Sequence, residues 1–201
     1  MSTFLEHPVV AEALKRLEAG LSPTLTYHSV EHTRDVIKEV IALALEDSLA
    51  ERDVELLAVA AAWHDIGFLF AREANEPFAA EALSTYLASY DRYSADEIAL
   101  LKRMILDTAL VRHEGVPVQV STTRLSPYLL DADLANFGRP DFLEKGELQR
   151  LETNSDKASF RRETLLLLTK HSWLSPAAQR KWTDTKQQNI SHLKGLLANT
   201  R

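Results

Sequence analysis

A chain of 201 residues, 45% apolar and 26% charged, is long enough to fill one core, and a single domain over residues 1–201 is the expectation. A net charge of −6 argues against a nucleic-acid duplex as partner, because phosphate-backbone binders need a basic face. The absence of cysteine excludes disulfides, thiolate nucleophiles and sulfur-ligated zinc, so any metal must be held by His, Asp and Glu.

Long apolar stretches with Glu, Lys and Arg between few breakers predict helices throughout. The first runs from about Pro8 to Ala19 and stops at Gly20 and the Ser22-Pro23 turn. The second, Ser29 to Leu49, has a period of 3.6 in Val30, Val36, Ile37, Val40, Ile41, Ala44 and Leu45. The third, Asp53 to Phe70, is apolar almost all round and belongs at the centre of a bundle. Pro77 opens a fourth helix to about Tyr90, and Ser94 with Glu97 reads as the capping box of a fifth, to about Val111. Arg112 to Arg124, with Gly115, Pro117 and a Thr pair, reads as a loop. A short helix then starts at Ser126-Pro127 and breaks at Gly138 and Pro140. Helices near Asp141–Thr153 and Ser155–Ser172 follow, and Pro176 begins the last one. No signal-peptide pattern opens the chain and no apolar run nears the ~20 residues that span a bilayer, so a cytoplasmic protein without membrane contact is expected.

Ionisable groups inside apolar helices need partners. His64 and Asp65 stand between Ala60-Ala61-Ala62-Trp63 and Ile66-Gly67-Phe68, within the most apolar predicted helix, and a cation is a good reason for such a pair. A second cluster is Tyr27-His28-Ser29-Val30-Glu31-His32, where His28 and His32 share a face if the helix reaches back that far. Asp131 and Asp133 sit in another apolar stretch, Leu129 to Leu134. Each of these alone also reads as a hydrogen-bonded structural group or a helix cap. Together they suffice for a nitrogen and oxygen shell that suits Mn, Fe, Co, Ni, Zn or Mg.

Three segments carry a resemblance to a known family: Tyr27-His28-Ser29-Val30-Glu31-His32-Thr33, Ala61-Ala62-Trp63-His64-Asp65-Ile66-Gly67, and Asp131-Ala132-Asp133-Leu134-Ala135-Asn136-Phe137-Gly138. In this order they resemble the HD superfamily of metal-dependent phosphohydrolases, whose signature is His, His-Asp, Asp across a helical core. The resemblance covers roughly residues 25–140. A weaker one to uncharacterised predicted phosphohydrolases of the superfamily continues through Phe160–His171 and Gln179–Ile190. It implies an all-α, single-domain bundle of the HD and phosphodiesterase type, its motif-bearing core at about 25–140 and C-terminal helices at 141–200 packed on it. It also implies His32, His64, Asp65 and Asp133 as ligands of a divalent metal, Asp133 being favoured over Asp131 by its Ala-Asp-Leu setting. Asp131 then falls to a supporting role behind a ligand.

The first segment is also similar to that of cyclic-nucleotide phosphodiesterases. That implies His28 as proton donor to the leaving oxygen, with orienting water or capping the helix as its alternatives. Asp65 or a neighbouring carboxylate is expected to accept the proton of the attacking water. Only His113 falls between the His-Asp pair and Asp133, whereas polynuclear members use further histidines there, so one tightly bound metal is expected, with a second, sharing Asp65 and otherwise held by water, as the alternative. The implied activity is hydrolysis of a small phosphorylated substrate, a nucleotide foremost. The rivals are a non-catalytic HD module that binds metal or nucleotide, and a di-iron oxygenase of the same fold.

Arg139, just after the last motif, is the first candidate for a phosphate contact, and His113 is a weaker candidate at the rim. Arg34, Lys102, Arg103, Arg112 and Arg124 read as solvated charges, Glu114 as a solvated loop residue, and His171 as structural. His7 and His192 carry no signal, and a homodimer is left open.

Overall fold

A computed structural model describes residues 2–113 and 115–199. After the short α1 (Ser2–Leu5), α2 (Pro8–Gly20) and α3 (Val30–Glu46) pack against α4 (Glu51–Trp63). Acidic Glu51 and Asp53 lie in the first turn of α4, where they complement the helix dipole. Every residue from Val54 to Trp63 is buried, which places this helix at the centre of the bundle. Its last residue is tied back to the first long helix, as Trp63 Nε1–H donates to the Val9 carbonyl at 3.0 Å.

The chain does not continue helically to Phe70 as its apolar pattern suggests. α4 ends at Trp63, and a 3₁₀ turn follows at Ile66–Leu69. A Cβ on Gly67 would stand 1.9 Å from the Asn75 carbonyl oxygen, so this turn lies directly against the start of the next helix. That helix, α5 (Asn75–Leu87), begins two residues before Pro77, in whose first turn a missing N–H costs nothing. α6 (Ala95–Asp107) has the expected capping box, with Ser94 and Glu97 satisfying each other's backbone N–H groups.

The segment read as a loop contains a small antiparallel hairpin, β1 (Val111–His113) and β2 (Val116–Val118). Its turn includes Gly115 at φ +81°, a conformation that favours glycine. α7 (Ser126–Asp133) slots against α3 and α4 and leads into a second 3₁₀ turn, Ala135–Gly138. α8 (Phe142–Glu152), α9 (Lys157–Lys170) and α10 (Pro176–Ala198) complete an all-α single domain. α10 clamps the second 3₁₀ turn: a Cβ on Gly138 would meet Trp182 Cβ at 2.2 Å, and Asn189 Nδ2 donates to the Phe137 and Arg139 carbonyls. Among the described residues no helix is long and apolar enough to cross a membrane.

Candidate metal centre

His32, His64, Asp65 and Asp133 converge, and each comes from a helix end rather than a helix interior. His32 lies in the first turn of α3, where its N–H donates to the Ser29 hydroxyl that caps the helix, at 3.3 Å. His64 and Asp65 form the turn just after α4, and Asp133 is the last residue of α7. The exposed carbonyls at the ends of α4 and α7 make this a favourable place for a cation. One of them also orients a ligand: the Ala61 carbonyl accepts from His64 Nδ1 at 2.7 Å, which leaves the lone pair on Nε2.

Asp133 Oδ1 lies 3.2 Å from His32 Nε2 and 3.6 Å from His64 Nε2, and Asp65 Oδ2 lies 3.2 Å from His64 Nε2 and 3.6 Å from His32 Nε2. Ligands held at about 2.0–2.2 Å from one ion and spread by 90–110° stand about 3.0–3.6 Å apart, a spacing that these contacts match. The donor atoms of His32, His64 and Asp65 lie close enough together to share a cation, and Asp133 borders them through both imidazoles. Two of the four atoms, His64 Nε2 and Asp65 Oδ2, are buried and make no hydrogen bond. Orphaned polar atoms this deep are costly, and a cation between them would satisfy both. The buried group His32, His64 and Asp65 can therefore hold a metal ion.

The electrostatics point the same way. Burial disfavours a charged His64, but the adjacent Asp65 and Asp133 outweigh it and hold its pKa well above the usual histidine value. Burial likewise opposes charge on Asp133, yet the hydrogen bond from His32 and the nearby His64 imidazole keep its carboxyl far below the ordinary range. Asp65 is lowered too, against burial, chiefly by His64. Two carboxylates in so little solvent demand positive charge, supplied either by protons on the imidazoles or by an ion that displaces them.

A cavity of about 340 Å³ opens over His28, His64, Asp65 and Asp133. His28 precedes α3 and does not share its helical face with His32. Its ring packs on Phe68, with centroids 4.4 Å apart, and its Nδ1 is in a short contact with Glu152 Oε1. Glu152 Oε2 also accepts the N–H groups of Tyr27 at 2.8 Å and His28 at 3.0 Å, so one carboxylate from the end of α8 fixes the whole segment. Burial alone would lower the His28 pKa, but the bond to Glu152 and the charge of Asp65 raise it. No family model, curated protein or solved structure matches this chain. Its chemistry is therefore read from these side chains.

Sequence reasoning missed Glu152 and Arg72. Glu152 is 124 positions from His28 in an unremarkable helix, and no local pattern marks it. Arg72 lines the cavity mouth, where its guanidinium donates to the Thr24 hydroxyl and, among the described residues, meets no carboxylate. Arg139, the expected phosphate contact, is instead consumed by acids: it reaches Asp35 and Asp141 at 2.6 Å and Glu39 at 3.3 Å. His113 is exposed on β1 and does not line the cavity, and Glu114 lies outside the described residues.

Asp131 supports no metal ligand. Its carboxylate accepts the backbone N–H groups of Leu174 and Ser175 and the Ser175 hydroxyl, joining α7 to the cap of α10. Burial pushes its pKa up to about 6 despite those donors. His171 is structural in its surroundings, its ring 4.5 Å from that of Trp173 and its pKa pushed down to about 3 by burial.

Proposed function

We propose that this protein is a metal-dependent phosphohydrolase of the HD type, acting in the cytoplasm on a small phosphorylated substrate such as a nucleotide. The observation that carries the reading is the four-sided group of donor atoms on His32, His64, Asp65 and Asp133, two of them buried and unpartnered at the floor of a substrate-sized cavity. A divalent cation held there supplies a nucleophile from water near neutral pH and offsets charge on the phosphoryl oxygens.

The chain's own groups account for the remaining steps. Arg72 at the cavity mouth positions the anionic substrate. Asp65, through the carboxylate oxygen not turned to the cation, takes the proton released as the water oxygen bonds to phosphorus. His28, with Nδ1 engaged by Glu152, donates from Nε2 to the ester oxygen as the P–O bond breaks. Glu152 does not touch substrate; it positions His28 and favours its protonated form.

The test is elemental analysis of purified wild type and His64→Ala, followed by a phosphoester screen with the retained metal. About one transition-metal ion in wild type, lost together with turnover in the variant, supports the reading. Metal without turnover on any phosphoester would leave the non-catalytic module. No metal in either protein after reconstitution would overturn the centre itself.

A further inference from the structure

We propose that the cleft between α8 and α9 is a second binding site, for a small amphipathic anion whose aliphatic chain ends in a carboxylate. α8 leans on the second 3₁₀ turn and α9 on α10 and the hairpin, and between them they leave a cavity of about 240 Å³. Each helix turns one continuous face toward it, because Gly146, Glu147 and Arg150 are three and four apart on α8, as are Lys157, Phe160, Arg161 and Thr164 on α9.

The floor is apolar. Phe142 and Leu193 are buried there and Phe160 is half-buried, surfaces against which a hydrocarbon chain would be removed from water. The mouth is basic. Glu147 is held by Arg150 at 2.8 Å and also feels the charges of Lys157 and Arg161, but among the described residues those two make no ion pair. In a chain of net charge −6 this is a local reversal of sign. Lys157 and Arg161 are also like charges four apart, at the start of a helix whose N-terminal N–H groups Asp156 already caps. A carboxylate between them would offset their repulsion.

Size sets the tail. About 240 Å³ holds roughly eight groups of water size at ~30 Å³ each, and it falls below the ~300–1,000 Å³ of pockets for larger ligands. No His or Asp lines the cavity, so it has none of the metal centre's chemistry. Thr164 lines both cavities, so the two spaces share a wall residue.

The experiment is calorimetric titration of the full chain with octanoate, with octanol as the probe lacking a charge and acetate as the probe lacking a tail. Two variants accompany wild type. In Gly146→Leu a Cβ meets only the Phe160 ring at 3.9 Å, so the new side chain fills the cavity, and leucine favours the helix. Arg161→Glu reverses a charge at the mouth. The expected result is saturable one-to-one binding of octanoate by wild type. Each variant should weaken it at least tenfold, with thermal unfolding of Gly146→Leu no lower than wild type, and octanol and acetate should bind at least tenfold less tightly. Absence of saturable binding, unchanged affinity in Gly146→Leu, or acetate equal to octanoate would each overturn the proposal. So would a wild-type dimer that Gly146→Leu dissociates without any octanoate binding, which would give the cleft to a second copy of the chain.

Discussion

α4 and α9 are nearly equal in length, and both border the candidate substrate cavity at one end or one face. Yet α4 buries every residue from Val54 to Trp63, whereas α9 buries Leu168 alone. The candidate metal donors of the His64-Asp65 turn thus extend from a helix buried along most of its length, while Thr164 and Leu167, which also line the cavity, sit on one that is mostly solvent-facing. The contrast divides the labour. Donor atoms that must meet one ion within tenths of an ångström are set by the core, and the wall that meets a variable organic group is left free to adjust.

The sharpest way to break this comparison is to truncate each region. Trp63→Ala removes a fully buried indole and its bond to the Val9 carbonyl, and should cost about 3–5 kcal/mol in denaturant unfolding. Phe160→Ala, half-buried beside a cavity, should cost under about 1 kcal/mol. Equal losses would mean that the two walls are equally rigid. Next in size is Gly67→Ala. Its methyl group would collide with the Asn75 backbone, so a loss of about 1–3 kcal/mol is expected, with weaker metal retention because the neighbouring Asp65 shifts.

Glu152→Gln sharpens the comparison from the other side, because α8 is only lightly packed and the change should leave stability and metal content near wild type. Turnover should fall about 10- to 100-fold. The pH profile separates positioning from a merely structural role. Glu152 raises the His28 pKa, so the basic limb of kcat/KM should move to lower pH in the variant. A profile that keeps its shape would sink the proposed role.

The smallest effect is electrostatic and belongs to the metal-free protein. The folded pKa of His64 is raised, so its stabilisation is complete below about 6.5 and disappears as pH rises through the folded value. Asp65 and Asp133 are lowered, so their contribution is present above the ordinary carboxylate range and lost in acid. Urea midpoints of metal-free protein should therefore decline from pH 6.5 upward, and His64→Gln should flatten that decline. Metal-free protein as stable at pH 9 as at pH 6 would contradict the assignment of charge.

How much of this was legible in the sequence depends on whether the cause was local. The helical period of α3, the capping box at Ser94 and the start of α10 at Pro176 were legible because each is written within a few residues. His64-Asp65 was conspicuous because ionisable groups rarely interrupt such an apolar run. The end of α4 was not, since Ile66, Gly67 and Phe68 prolong the apolar pattern while the turn they form instead packs on Asn75, which no local pattern marks. Arg139 looked available because Asp35 and Glu39 are 104 and 100 residues away. Arg72 and Glu152 acquire their places only through tertiary packing, and neither has a neighbour that announces it.

The clamp of α10 on the second 3₁₀ turn has a consequence for the order in which the molecule is made. Asp133 stands just before that turn, and the turn is gripped by Trp182 and Asn189, about fifty residues later in the chain. A ribosome delivers His32, His64 and Asp65 early, but the segment that fixes the fourth donor is secured only once α10 has emerged and docked. On the proposed reading of the site, Asp133 is the residue whose segment waits longest to be fastened, and clipping α10 from the finished protein would release it first.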